Sequence, residues 1–255
     1  MSDISQPHAQ YDTQNEVMWF ISVQKEPSWD QDRFQHEYHN VHANLARVGH
    51  QHSGLPLNYV QFGAMDLQDP NNLCGDMDDD PWDFLSCLYW PSTSVVWRSF
   101  QDPVYHESAG KHIFCRQDQK GILAKRVGAL GVATERFAEQ GNFAIHVFHR
   151  RATAGDKVSA AWVEERMKLA ERWSKTRRGL VRQYSVWTDV MPEDTDAFFK
   201  GTQFTGGSWR QYRAVERFVL LDRDEAAKFW EENRGLVVDG PGSTNVIGGL
   251  TSVVI

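Results

Sequence analysis

Apolar β-formers concentrate first at Val17-Met18-Trp19-Phe20-Ile21-Ser22-Val23, and this run predicts a strand. A polar connection containing Pro27 follows, with Ser28 or Asp30 as the N-cap of a helix. From there to about Val48 the apolar positions recur at three- and four-residue steps: Phe34, Tyr38, Val41, Leu45 and Val48. Strands are expected over 57–64 and 84–90, on either side of an acidic, Asn/Asp/Pro-rich loop at 66–81. Ser92 then caps a short helix that carries Val95, Val96 and Phe100 inward. An irregular segment leads to a strand near 123–132.

The same order returns downstream. Residues 143–148 read as a strand, 159–175 as a helix, and 180–187 and 216–221 as strands. A helix over 225–232 and a strand over 245–255 complete the set. Phe34, Tyr38, Val41, His42 and Leu45 fall over Trp162, Arg166, Leu169, Ala170 and Trp173, a constant offset of 128 residues. Strand–helix–strand–strand–helix–strand is the ferredoxin-like order, with helices on one sheet face. The expected fold is therefore α+β: a polar tail at 1–14, one ferredoxin-like repeat at 15–137 and a second at 138–255. Each repeat leaves one sheet face bare, and the two faces bury each other in a barrel-like sandwich with helices outside.

Composition narrows the function. The net charge of −7, with only a short basic cluster at Lys175, Arg177 and Arg178, argues against nucleic acid. The sequence shows no apolar run of membrane-spanning length and no secretory pattern near its start. Cys74, Cys87 and Cys115 have neither disulfide-framework nor zinc spacing, so a cytoplasmic protein is expected. Ten Trp imply broad aromatic interiors or pockets.

The chemistry concentrates on the first helix, Phe34-Gln-His36-Glu-Tyr38-His39-Asn-Val-His42. His42 borders the apolar face one turn from Tyr38, whereas His36 and His39 are expected to face solvent. Such a pair joins a base that titrates near neutrality to a hydroxyl donor. It equally suits a buried histidine bonded to a backbone carbonyl, with Tyr38 in the core. His36, His39, His42, His50 and His52 invite a metal reading, but no carboxylate or Cys completes a set, and no metal site is assigned. The acidic run Asp76–Asp80 lacks calcium-loop spacing. Gly206-Gly207 and Gly248-Gly249 lack a nucleotide-loop context, and no G-x-S-x-G elbow occurs.

Phe34-x3-Tyr38-x3-His42 after a first strand resembles the signature helix of the EthD family, within the dimeric α+β barrel superfamily. Phe100-Gln-Asp-Pro103-Val-Tyr105 and the later His112-Ile-Phe114 resemble the same family's second-helix region. The resemblance covers about 15–135. In the second repeat it is architectural only, because Arg166 and Ala170 replace the Tyr and His. It implies a ligand pocket between helices and sheet. It also implies decarboxylase, dehydratase or cyclase chemistry on an aromatic polyketide, as in fungal secondary metabolism, without metal or organic cofactor. His42 becomes the acid/base candidate, Tyr38 and Tyr105 donors or pocket walls, and Phe34 and Trp90 stacking surfaces. His106 and His112 flank the irregular segment and are candidate ligand contacts, as is His146 on its strand. The second repeat is expected to act as scaffold, or to use Arg166 to hold a carboxylate. Two other readings stay open. One is a binding protein for an apolar aromatic ligand. The other is a haem enzyme with His146 or His149 as axial ligand. The protein is expected to be a monomer or homodimer.

Overall fold

The computed structural model describes residues 11–12, 14–63, 82–107, 113–131, 141–175, 181–238 and 244–255. The acidic loop, Cys74 and His112 lie outside them. Eight strands form one closed antiparallel barrel in the order β1-β3-β2-β8-β5-β7-β6-β4. They are β1 Val17–Val23, β2 Asn58–Gly63, β3 Phe84–Trp90, β4 Gly121–Leu130, β5 Phe143–Arg150, β6 Gln183–Asp189, β7 Tyr212–Leu220 and β8 Thr244–Val253. Around the circle, the sequence β4-β1-β3-β2 is followed by its counterpart β8-β5-β7-β6. The seams between the two sets are β2–β8 and β4–β6.

Period-two alternation sorts each strand between two layers. Met18, Phe20, Val60, Leu85, Phe148 and Ile247 project into the barrel and form a core shared by both strand sets. The intervening residues face outward, where helices and the 190–211 connection cover much of them. At the β2–β8 seam, β8 passes so close that a Cβ on Gly249 would stand 2.0 Å from the Gly63 carbonyl oxygen.

The helices are α1 Gln31–His36, α2 Ala43–Ser53, α3 Thr93–Ser99, α4 Pro103–Glu107, α5 Ala160–Lys175, α6 Thr195–Phe198 and α7 Arg223–Val237. Asp30, rather than Ser28, caps α1 through the Arg33 amide, and Ser92 caps α3 through that of Val95. Gly54 ends α2 at φ 71°, a left-handed position that favours glycine. The short α4 lies in the segment expected to be irregular, and α7 runs well past its expected end.

Between α1 and α2 the chain is π-helical over Glu37–His42. A wider turn of this kind acts as one extra residue and rotates everything after it. The buried face therefore shifts from the expected Val41 and Val48, which are 37% and 47% exposed, to His42, Ala43 and Ala46. Among the described residues no helix is long and apolar enough to cross a membrane.

Candidate active site

A cavity of about 500 Å3 lies between the outer face of β1–β3 and the helices above it. Its floor carries the outward residues of β1 and β3, namely Trp19, Ile21, Ser86, Leu88 and Trp90. Tyr38 and His42 form one wall, and Tyr105 on α4 contributes another part of the lining. Four sequence candidates thus meet here: His42, Tyr38, Tyr105 and Trp90.

The other candidates stand elsewhere. Phe34 is fully buried behind Tyr38, with their rings stacked at 6.3 Å, and supports that side chain instead of lining the cavity. His106 is exposed beside Tyr105. His146 projects into the barrel, edge-on to Phe62 at 4.5 Å, on the opposite side of the sheet layer from the cavity. Burial, and then the nearby Arg217 charge, hold its pKa well below the ordinary imidazole value.

Phe34 and Phe114 pack around Tyr38, and the His42 ring lies parallel to that of Tyr38 within 7°, with centroids 6.2 Å apart. The Tyr38 hydroxyl shares a 2.7 Å hydrogen bond with Ser86 Oγ, which also meets the Tyr59 hydroxyl at 3.2 Å. Gln61 Nε2 donates to the Tyr59 hydroxyl at 3.0 Å and to the Tyr38 carbonyl at 3.1 Å. Its Oε1 accepts from His39 Nδ1 at 2.8 Å, which fixes the proton on that nitrogen. His39 is thus drawn to the sheet, contrary to the solvent position expected for it; His36 does stay outside, against Asn40. His50 bonds the Pro56 carbonyl, and His52 lines the cavity. The five histidines are therefore spread over separate partners.

Burial raises the Tyr38 and Tyr59 phenols above their ordinary value, and it does the same to Tyr105. All three stay protonated near neutrality and keep an O–H that can donate. The hydroxyls of Tyr38, Ser86 and Tyr59 all meet one another, Tyr38 also bonding Tyr59, and form one protonated cluster behind the cavity wall.

Sequence reasoning missed Tyr59, Ser86 and Gln61, because a single polar residue on a strand carries no local signal. It also missed the contribution of the chain beyond β6. The connection over 190–211 crosses to the outer face of β1, where Phe199, Phe204 and Trp209 pack around Trp19 and Phe204 reaches the cavity. Gln203 Nε2 donates to the Tyr105 hydroxyl at 3.4 Å.

The corresponding place beneath α5 is filled. Tyr184 pairs with Phe218, two residues beyond Glu216, as Tyr59 pairs with Leu88, two beyond Ser86. Arg166 stands 128 residues after Tyr38. Its guanidinium makes a two-pronged contact to Glu216 at 2.9 and 2.8 Å, and His149 Nε2 bonds the same carboxylate at 2.8 Å. The Tyr184 hydroxyl donates to it as well. Burial would raise the Glu216 carboxyl, but His149 and Arg166 outweigh it and hold the group below the ordinary range. Arg166 does hold a carboxylate, and it belongs to the protein. With His149 engaged in this way and His146 inside the barrel, neither histidine is presented as an axial ligand for haem.

Residues 26–117 match the EthD domain family. Chalcone isomerase cfoK of Aspergillus candidus is 26% identical to this chain over 222 residues, covering 85% of each. An anthrone oxidase-like protein of known crystal structure superimposes with a TM-score of 0.50 at 8% identity, covering 95% of this chain and 94% of its own. That likeness is one of fold, the dimeric α+β barrel, here closed within one chain. The match to the EthD domain thus lies on the part of the chain that carries Tyr38, His42, Trp90 and Tyr105.

Proposed function

We propose that this chain is an enzyme of secondary metabolism that closes a ring on a phenolic, polyketide-derived substrate by moving protons, with His42 as acid/base. One observation carries the reading: His42 stacks on Tyr38 in the wall of an aromatic cavity, beside a cluster of protonated hydroxyls. The cavity volume falls in the range of small-molecule sites. Likeness to a chalcone isomerase along most of both chains supports the class.

A chalcone joins two aryl rings through an enone. Its cyclisation forms one C–O bond and loses no atom. A phenol gives its proton to a base, the phenoxide oxygen adds to the β-carbon, and the enolate takes a proton at the α-carbon. An imidazole can accept the first proton and return one at the end. The hydroxyl chain of Tyr38, Ser86 and Tyr59 would hold the enolate oxygen, with Tyr105 as a further donor. Decarboxylation or dehydration of a related polyketide passes through a similar enolate and would draw on the same groups. The reading uses only side chains of the protein and assigns no cofactor.

In this reading the two strand sets are ferredoxin-like repeats, 15–137 and 138–255, after a tail at 1–14. The first holds the site. The second is scaffold, its pocket converted to an ion-pair network.

The test is turnover of a hydroxylated chalcone by His42→Ala, followed by chalcone loss and flavanone appearance. A fall in kcat of at least a hundredfold is expected, with the melting temperature held within a few degrees. Full activity in the variant rejects His42 as the acid/base. A chalcone recovered unchanged from the wild-type protein rejects this substrate for the site.

A further inference from the structure

Three buried polar atoms in the cavity's lining residues lack a protein partner. Trp19 and Trp90 are only 2% and 5% exposed, yet neither indole N–H has an acceptor. Gln119, 3% exposed, donates through Nε2 to Cys115 Sγ at 2.9 Å, while its Oε1 meets no donor. A buried polar group left unmatched costs on the order of 1–3 kcal/mol, so such atoms call for explanation. All three residues line the same cavity.

Their positions are ordered. Trp19 pairs with Leu88 across β1 and β3, so Trp90 is its diagonal neighbour on the same outward face. Gln119 adjoins Lys120, whose carbonyl accepts from the Ser22 amide, and so lies towards the far end of β1 near Val23. Val23 stands four residues beyond Trp19, about 13 Å along the strand. Between the ends the floor presents Ile21 and Leu88, both apolar, with Ser86 paired opposite Ile21.

We propose that Trp19 and Trp90 form a donor pair for the oxygens of one ring of an elongated diaryl phenol, while Gln119 accepts from a hydroxyl at its other end. The spacing suits a ligand with a polar group at each end, joined by a linker that passes over Ile21, Leu88 and Ser86. This deepens the reading given above and rests on the cavity being the substrate site. It assigns these three residues to selection of ligand and gives them no part in proton transfer.

The test measures binding alone, by titration calorimetry. The probe is phloretin, a hydroxylated dihydrochalcone whose saturated linker cannot cyclise, compared with the unsubstituted parent dihydrochalcone. Trp19→Phe, Trp90→Phe and Gln119→Leu are each expected to weaken phloretin by about three- to tenfold, the worth of one hydrogen bond. The parent should lose less than twofold, and Gln119→Glu, which retains an acceptor, should keep most of the phloretin affinity. Equal losses for both ligands would reduce the indoles to apolar wall and overturn the proposal. So would unchanged phloretin affinity in all three variants, or no phloretin binding to the wild-type protein. Thermal melts check folding, and the Gln119 pair stands as the deciding comparison if a Trp variant melts early. His42→Ala separates the two ideas. If it retains turnover, the catalytic reading fails, while the ranking of phloretin affinities still judges the anchor.

Discussion

At Glu216 one carboxylate, shut off from water, is met by Arg166, His149 and Tyr184. A buried charge held by this many partners is costly to break, because the guanidinium would be left uncompensated. Glu216→Gln is expected to destabilise the fold by about 3–5 kcal/mol, read from chemical denaturation. The pH dependence follows from the direction of the shift. Glu216 is held below the ordinary carboxyl value of 4.5, so its contribution is fully present above about pH 4.5. As pH falls below that, the unfolded chain takes up the proton first, and stability declines until the folded carboxyl is protonated too. The wild-type melting temperature should therefore drop in this window, and Glu216→Gln should flatten the drop. His146 shows the opposite economy: enclosed among apolar side chains and pressed by the Arg217 charge, it remains uncharged. The sequence shows a histidine on a strand in either case. Which of the two layers the side chain enters, and what lies across from it, decides its chemistry.

Between α1 and α2 the decisive feature is the π-helical turn over Glu37–His42. Before it, apolar spacing reads correctly: Phe34 and Tyr38 are buried as expected. After it, the buried positions advance by one, and Val41 and Val48 move outward. A helical period fitted to the whole stretch cannot register that step, because Leu45 and Ala46 differ too little in polarity to show which faces the sheet. Both His42 and Tyr38 were legible as a pair one turn apart; the parallel stacking of their rings was not. Deleting the exposed Asn40 should restore an ordinary helical turn while keeping Ala43 and Ala46 inward. The variant is expected to melt within a few degrees of wild type and, on the proposed function, to lose most turnover of a hydroxylated chalcone, because His42 then meets Tyr38 at a different angle. Strand assignments fared better than helix phase. Period-two alternation around Trp19 and Phe20 survives any error of one residue at a strand end, whereas a helix carries a one-residue error along its whole length.

At the scale of the molecule, the barrel core belongs to both strand sets at once, with Phe20 against Phe148 and Trp187. Residues 1–137 expressed alone would leave Met18, Phe20, Val60 and Leu85 uncovered. Such a fragment is expected to elute as a dimer or aggregate in size-exclusion chromatography, never as a folded monomer. That expectation was readable from the sequence, since a sheet with one bare apolar face needs a cover. The route of the 190–211 connection was not readable. Its clustered Phe198, Phe199 and Phe204 predict burial but do not name a destination, and they come to rest against Trp19 and Phe100. The wall at Phe204 consequently comes from a stretch of chain far downstream of His42, which lines the same cavity. A chimera that joins the first four strands of this protein to the last four of a relative would pair one parent's imidazole with the other parent's share of the cavity wall. On the proposed function, ligand preference is then inherited from neither segment alone, and the two stretches are bound to drift together, each setting the terms on which the other can change.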